Sequence, residues 1–136
     1  MGGITPNQDA FQKLAQSNEA GPVVMINLLK FKTRAEGEEG TGAEAYGRYA
    51  DAVGKMLAER GARMIWAGRP EHLLVGDSSD EWDAAALVEY PSRQAFVEMV
   101  SSAEYQKIHA HREAGLERTV LIACKPGLER DLQNRR

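Results

Sequence analysis

The residues of this chain able to do chemistry are few, and most stand among apolar neighbours. Asn27 interrupts the run Val23–Phe31, VVMINLLKF. A buried amide left without a partner costs roughly 1–3 kcal/mol, so Asn27 needs either a neighbouring group or a ligand oxygen. Glu89 stands alone in AAALVEY, residues 84–90. It either pairs with Arg63, Arg69 or Arg112, or sits in a dry pocket where its raised pKa would let it move a proton. Arg112 can cap carbonyls near a helix end or pair with an acid. It can also hold a carboxylate or enolate through two parallel hydrogen bonds. The adjacent His111 has the residue type suited to a general base near neutral pH. As a catalytic set, His111 would act as base, with Asn27 and Arg112 stabilising developing oxyanion charge. Tyr46, Tyr49, Trp66 and Tyr105 read as core residues; Tyr49, Trp66 and Tyr105, together with Glu89, would surround a ligand.

Metal and thiol chemistry find little support. His109 and His111 are two apart, so on a helix they project about 200° from one another and cannot share one ion. His72 and the single cysteine, Cys124, stand in no ligand spacing of known mechanics. Cys124 reads as a small core residue near the end of a strand. Neither a metal nor a cofactor is expected.

These side chains must be held by regular elements, and the pattern for those is strong. Residues 82–124 read as strand, turn, a helix in two parts, turn and strand. Pro91 ends the first strand because it cannot donate to a sheet ladder, Ser92 and Ser102 stand at helix N-caps, and Gly115 suits a helix C-terminus. TVLIAC, residues 119–124, reads as a buried strand. Upstream, Thr5, Pro6 and Gln8 spell a helix start, with Phe11, Leu14 and Ala15 as its apolar stripe. Lys32–Gly42 is charged and glycine-rich and reads as a mobile loop. Thr41 and Glu44 form a second capping box. From there Tyr46, Tyr49, Ala50, Val53, Met56 and Leu57 recur at three and four residues, marking an amphipathic helix over residues 43–60 that Gly61 closes. Arg63–Val75 alternates irregularly, with Gly68 and Pro70 breaking it, and GDSSDE, residues 76–81, reads as a hairpin loop.

The order is an extra helix followed by β-α-β-β-α-β. That is the ferredoxin-like split arrangement, α+β, with a four-stranded antiparallel sheet and two helices on one face. Residues 1–21 form an N-terminal helical extension, 22–125 the domain, and 126–136 a tail. Several strands are apolar on both sides, so the face without helices also needs a cover. A second copy of the chain, sheet against sheet, is the expected one, giving a homodimer.

Whole-chain composition narrows the partners. A length of 136 residues fits one domain with a real core. A net charge of −3 with scattered basic residues argues against nucleic acid. The longest apolar run is too short to span a bilayer, and no basic-then-apolar signal opens the chain. With one cysteine there is no intramolecular disulfide, and the cytoplasm is the expected compartment.

Three stretches carry a family resemblance: VVMINLLKFK from Val23, WDAAALVEYPSRQAF from Trp82, and SAEYQKIHAHREAGLERTVLIA from Ser102. Together, from Pro22 to Cys124, they resemble the DUF1330 family, whose members look like dimeric α+β barrel proteins. The resemblance implies the same fold and a homodimer, with a small-molecule pocket between sheet and helices and no assigned activity. The wider superfamily includes cofactor-independent monooxygenases and isomerases, so the alternative is such an enzyme acting on a small aromatic or carbonyl compound.

Overall fold

The structure, a computed structural model, describes residues 7–134. It starts with helix α1 (Gln8–Gln16), capped by Asn7, whose side-chain oxygen accepts from the Ala10 amide at 3.0 Å. The expected cap at Thr5, with Pro6 behind it, lies outside the described residues, as do Met1–Gly3 and Arg135–Arg136. Strand β1 (Val23–Phe31) follows, then α2 (Gly42–Glu59), β2 (Arg63–Gly68), a single 3-10 turn at Ser78–Asp80, and β3 (Ala84–Tyr90). Helices α3 (Arg93–Ser101) and α4 (Ala103–Gly115), strand β4 (Leu116–Cys124) and a short α5 (Leu128–Gln133) complete the chain. The segment after Pro126, expected as a tail, therefore carries one helix, with no buried residue.

The caps behave as their residue types require. Thr41 Oγ1 accepts from the Glu44 amide at 3.1 Å while Glu44 Oε1 accepts from the Thr41 amide at 2.8 Å, satisfying two orphan donors at the start of α2. Ser92 and Ser102 accept from the amides three residues on, at 3.0 and 3.1 Å, so α3 and α4 are separate helices hinged at Ser102. Gly61 leaves α2 with a φ of +70°, where a Cβ would be strained.

The sheet runs β2-β3-β1-β4, all neighbours antiparallel, which is the ferredoxin-like order. Its register assigns the two faces row by row. Facing the helices are the row Met64–Val88–Met25–Ala123 and the row Ala67–Ala86–Asn27–Leu121. Facing away are Trp66–Leu87–Ile26–Ile122 and Gly68–Ala85–Leu28–Val120. A bulge between Met64 and Trp66 lets both hold their rows although they are two residues apart. The core lies between the first face and the helices: Val23, Met25, Val53, Met56, Val88, Tyr90, Phe96 and Met99 are buried there. The opposite face is open, with Trp66 55% and Ile122 46% exposed.

Two expectations change. The segment 32–42 is not loose: Lys32 N–H donates to the Gly115 carbonyl at 2.8 Å, Gly42 N–H to the Lys32 carbonyl at 3.0 Å, and Glu36 N–H to the Ala114 carbonyl at 3.0 Å. Its own backbone amides tie it onto the end of α4. Gly115 is the last residue of α4 rather than a left-handed cap, and its φ is not positive. It is small because α2 crosses there; a Cβ would lie 2.9 Å from the Tyr46 nitrogen and closer still to the Gly42 carbonyl.

Candidate functional site

Above the alanines of the second helix-side row the helices do not reach the sheet, and a cavity of about 950 Å³ remains. Ala67, Ala86 and Asn27 are the floor. The two alanines, with a single methyl each, leave space that Met25 and Val88 fill one row away. Tyr49 and Val53 of α2 form one wall, and Tyr105, His109 and Arg112 of α4 another. Phe11 and Leu14 of α1 close a third side, with Phe11 tilted against Phe96 at 6.5 Å between ring centres.

The polar groups in this space have defined partners. The Tyr49 and Tyr105 hydroxyls are 2.8 Å apart and share one hydrogen bond, their rings meeting edge to face at 6.0 Å. Burial, with the Tyr105 hydroxyl behind it, pushes the Tyr49 phenol far above its ordinary value. Tyr49 is therefore neutral and works here as a donor or acceptor, never as a phenolate. Asn27 Nδ2 donates to the Met25 carbonyl at 3.3 Å, while among the described residues its amide oxygen has no donor. Arg112 is 8% exposed. Its Nη2 is 3.4 Å from Thr119 Oγ1, a hydroxyl that itself donates to the Leu28 carbonyl at 2.8 Å. The Tyr46 hydroxyl is close enough to feel the guanidinium charge: burial raises its pKa, and Arg112 partly offsets the rise.

Asn27, Tyr49, Tyr105 and Arg112 are thus brought together as the sequence suggests, and three expected members are not. His111 lies outside the cavity; its Nδ1 is 2.8 Å from Glu38 Oε2, at the tied loop. The histidine that lines the cavity is His109, 5.7 Å ring to ring from Tyr105 and with Nδ1 3.4 Å from Glu113. On a helix, positions 105, 109 and 112 are spaced by four and three and share one stripe, whereas 111 points elsewhere. That spacing was the signal available for His109. Trp66 is the second correction: the bulge in β2 puts it in the open-face row opposite Leu87. Glu89 is the third. It alternates to the same open face and pairs with Arg63, Oε1 to Nε 3.2 Å, the structural alternative the sequence offered.

Among the described residues no group of three His, Cys, Asp or Glu side chains is close enough to hold a metal ion, and no helix is long and apolar enough to cross a membrane. Cys124 is a free thiol, partly buried.

The DUF1330 family model, described as a domain of unknown function, matches residues 38–125. Among solved structures, the RPA0582 protein of Rhodopseudomonas palustris, also of unknown function, is 36% identical, with 93% of this chain and 98% of that one covered at a TM-score of 0.87. A dimeric protein of unknown function with a ferredoxin-like fold from Bacteroides fragilis is 15% identical, covering 77% of this chain and 96% of that one, TM-score 0.53. A dabb family protein with a ferredoxin-like fold from Mesorhizobium loti is 14% identical over 79% and 98%, TM-score 0.54. At such identities the last two speak for the fold alone. No curated protein matches the chain.

Proposed function

The chain belongs to the DUF1330 family, whose description assigns no activity, so we propose a function from the cavity itself: a homodimeric protein that binds one small, largely apolar molecule per subunit, between sheet and helices. The observation that carries this reading is the cavity of about 950 Å³, a size suited to a drug-sized molecule, with apolar walls and a few convergent polar groups. Protein cores close to native density as a rule; here the floor is built of alanine where larger residues would fill the space.

The homodimer draws on the open face. Trp66, Leu87, Ile26 and Ile122 form an unbroken apolar row across all four strands, and a row of that kind in water favours a partner with the same row. The Bacteroides fragilis protein of like fold is named as dimeric. A single unpaired cysteine suits a cytoplasmic setting.

The test of the cavity uses Nile red, a neutral apolar fluorophore. Wild-type protein should bind it at one site per subunit with a saturable rise in fluorescence. Ala86→Trp, which lays an indole across the floor, should lose at least about 90% of that rise while keeping its circular dichroism, since filling the site removes the apolar contact area. Undiminished binding by Ala86→Trp, or none by the wild type, would remove the basis of the proposal.

A further inference from the structure

The cavity contains a cation without an anion. Arg112 is buried, lines the space between sheet and helices, and belongs to no ion pair among the described residues. The acids nearest along the fold are already engaged: Glu38 with Arg48 and His111, Glu113 with His109. The guanidinium has only neutral hydroxyls beside it, Thr119 at 3.4 Å and Tyr46. Thr119 gives its own proton to the Leu28 carbonyl, so it can only accept from Arg112. A guanidinium carries five N–H donors in a fixed fork. Two hydroxyls leave most of that fork unused, and since no fully buried side-chain nitrogen or oxygen among the described residues lacks a partner, the free donors open onto the cavity. Packing alone would be better served by methionine or leucine.

We infer that the ligand supplies the missing charge: the cavity takes an apolar molecule bearing one carboxylate, or an enolate of the same shape, its two oxygens on the Arg112 fork. This rests on the cavity being a ligand site at all. The rest of the lining agrees with the polarity of such a molecule. Asn27 and His109 line the same cavity, and each carries an N–H type able to donate to a carboxylate oxygen. Away from Arg112, Phe11, Leu14 and Leu57 offer apolar surface for the body of the ligand, with Asn7 and Gln8 of the same α1 wall also in the lining. Charge-assisted, bidentate pairing is roughly twice as strong as a neutral hydrogen bond and gains further away from water. The acid should therefore be preferred over a neutral molecule of equal size.

Calorimetric titration of the purified full chain with matched pairs decides it: decanoate against decanol for an aliphatic body, naphthoate against naphthylmethanol for an aromatic one. In at least one pair the acid should bind the wild type about tenfold or more tightly than the alcohol, a gap of roughly 1.4 kcal/mol, and the pair that binds tighter identifies the body. Arg112→Met should erase the preference and keep the affinity for the alcohol, while Arg112→Lys should retain part of the preference. Acid and alcohol binding alike to the wild type would overturn the anion assignment and leave the cavity standing. Binding of no compound would overturn both. A preference that survives Arg112→Met would place the anion elsewhere and defeat the assignment to Arg112. The wild-type comparison does not depend on any variant folding.

Discussion

Glu38 sits where three segments meet, with Oε1 2.9 Å from Arg48 Nη2 of α2 and Oε2 2.8 Å from His111 Nδ1 of α4. Burial raises its carboxyl, but the hydrogen bonds and charges of Arg48 and His111 outweigh that and hold it below its ordinary value. A depressed carboxyl stabilises the fold above the ordinary carboxylate range, and that stabilisation is lost as pH falls through the folded-state value. Wild type should therefore melt higher than Glu38→Gln near pH ~7, with the gap closing by about pH 3, followed by thermal denaturation. A gap independent of pH over that span would show that the charge of Glu38 does not matter. Nothing in the local sequence reveals this residue: it lies in a glycine-rich, charged stretch whose composition reads as solvated, and its partners are ten and seventy-three positions away. Arg112 stands between His111 and Glu113 in a polar helix and had no such signal, but Asn27 was legible for the opposite reason. A polar residue inside an apolar stretch demands an explanation from its own neighbours alone. His111 and His109 lie on different sides of α4, and the stripe that His109 shares with Tyr105 and Arg112 is the one sequence signal that separates them.

At the scale of elements, periodicity carried the reading. The stripe in α2, the two serine caps and strands β1 and β3 form where residue type places them, while β4 starts at Leu116, three residues before TVLIAC, and β2 ends at Gly68. What periodicity could not show is how closely two helices approach. At the crossing of α2 and α4, Gly42 and Gly115 bring backbone against backbone, and a Cβ on Gly42 would meet the Gly115 carbonyl at 2.6 Å. Gly115→Ala gains helix propensity yet forces these backbones apart, as overpacking does at a cost of about 1–3 kcal/mol. Its melting temperature should fall by several degrees, measured by circular dichroism; an unchanged or higher value would mean the crossing relaxes freely. Because Arg112 is one turn before Gly115, the same shift should move the guanidinium within the cavity. The bulge in β2 was likewise invisible as geometry, although Gly68 and Pro70 announced an irregularity nearby, and it decided the side on which Trp66 falls.

For the whole molecule, the two faces of the sheet have different tasks: one carries the cavity and the core, the other the apolar row from Trp66 to Ile122. Ile26 is at the middle of that row, and Ile26→Glu would place a charge where two sheets are proposed to meet, at a cost of several kcal/mol if it were desolvated. Sedimentation equilibrium should give a dimer for the wild type and a monomer for Ile26→Glu; a wild-type monomer would leave the open face without its proposed cover. The loop beyond β2 adds to the same problem of cover, since Leu74 and Val75 are 89% and 92% exposed.

One wall of the cavity differs from the others in how lightly it is attached. Helix α1 has no buried residue and touches the body of the protein through Phe11 and Leu14. The scaffold and the selectivity of the site are thereby separable. A chain can exchange this nine-residue piece, widening, narrowing or uncovering the ligand's apolar end, without disturbing the Arg112 end or the fold that holds it. Changes in α1 should therefore shift what the site prefers more than they shift the stability of the body.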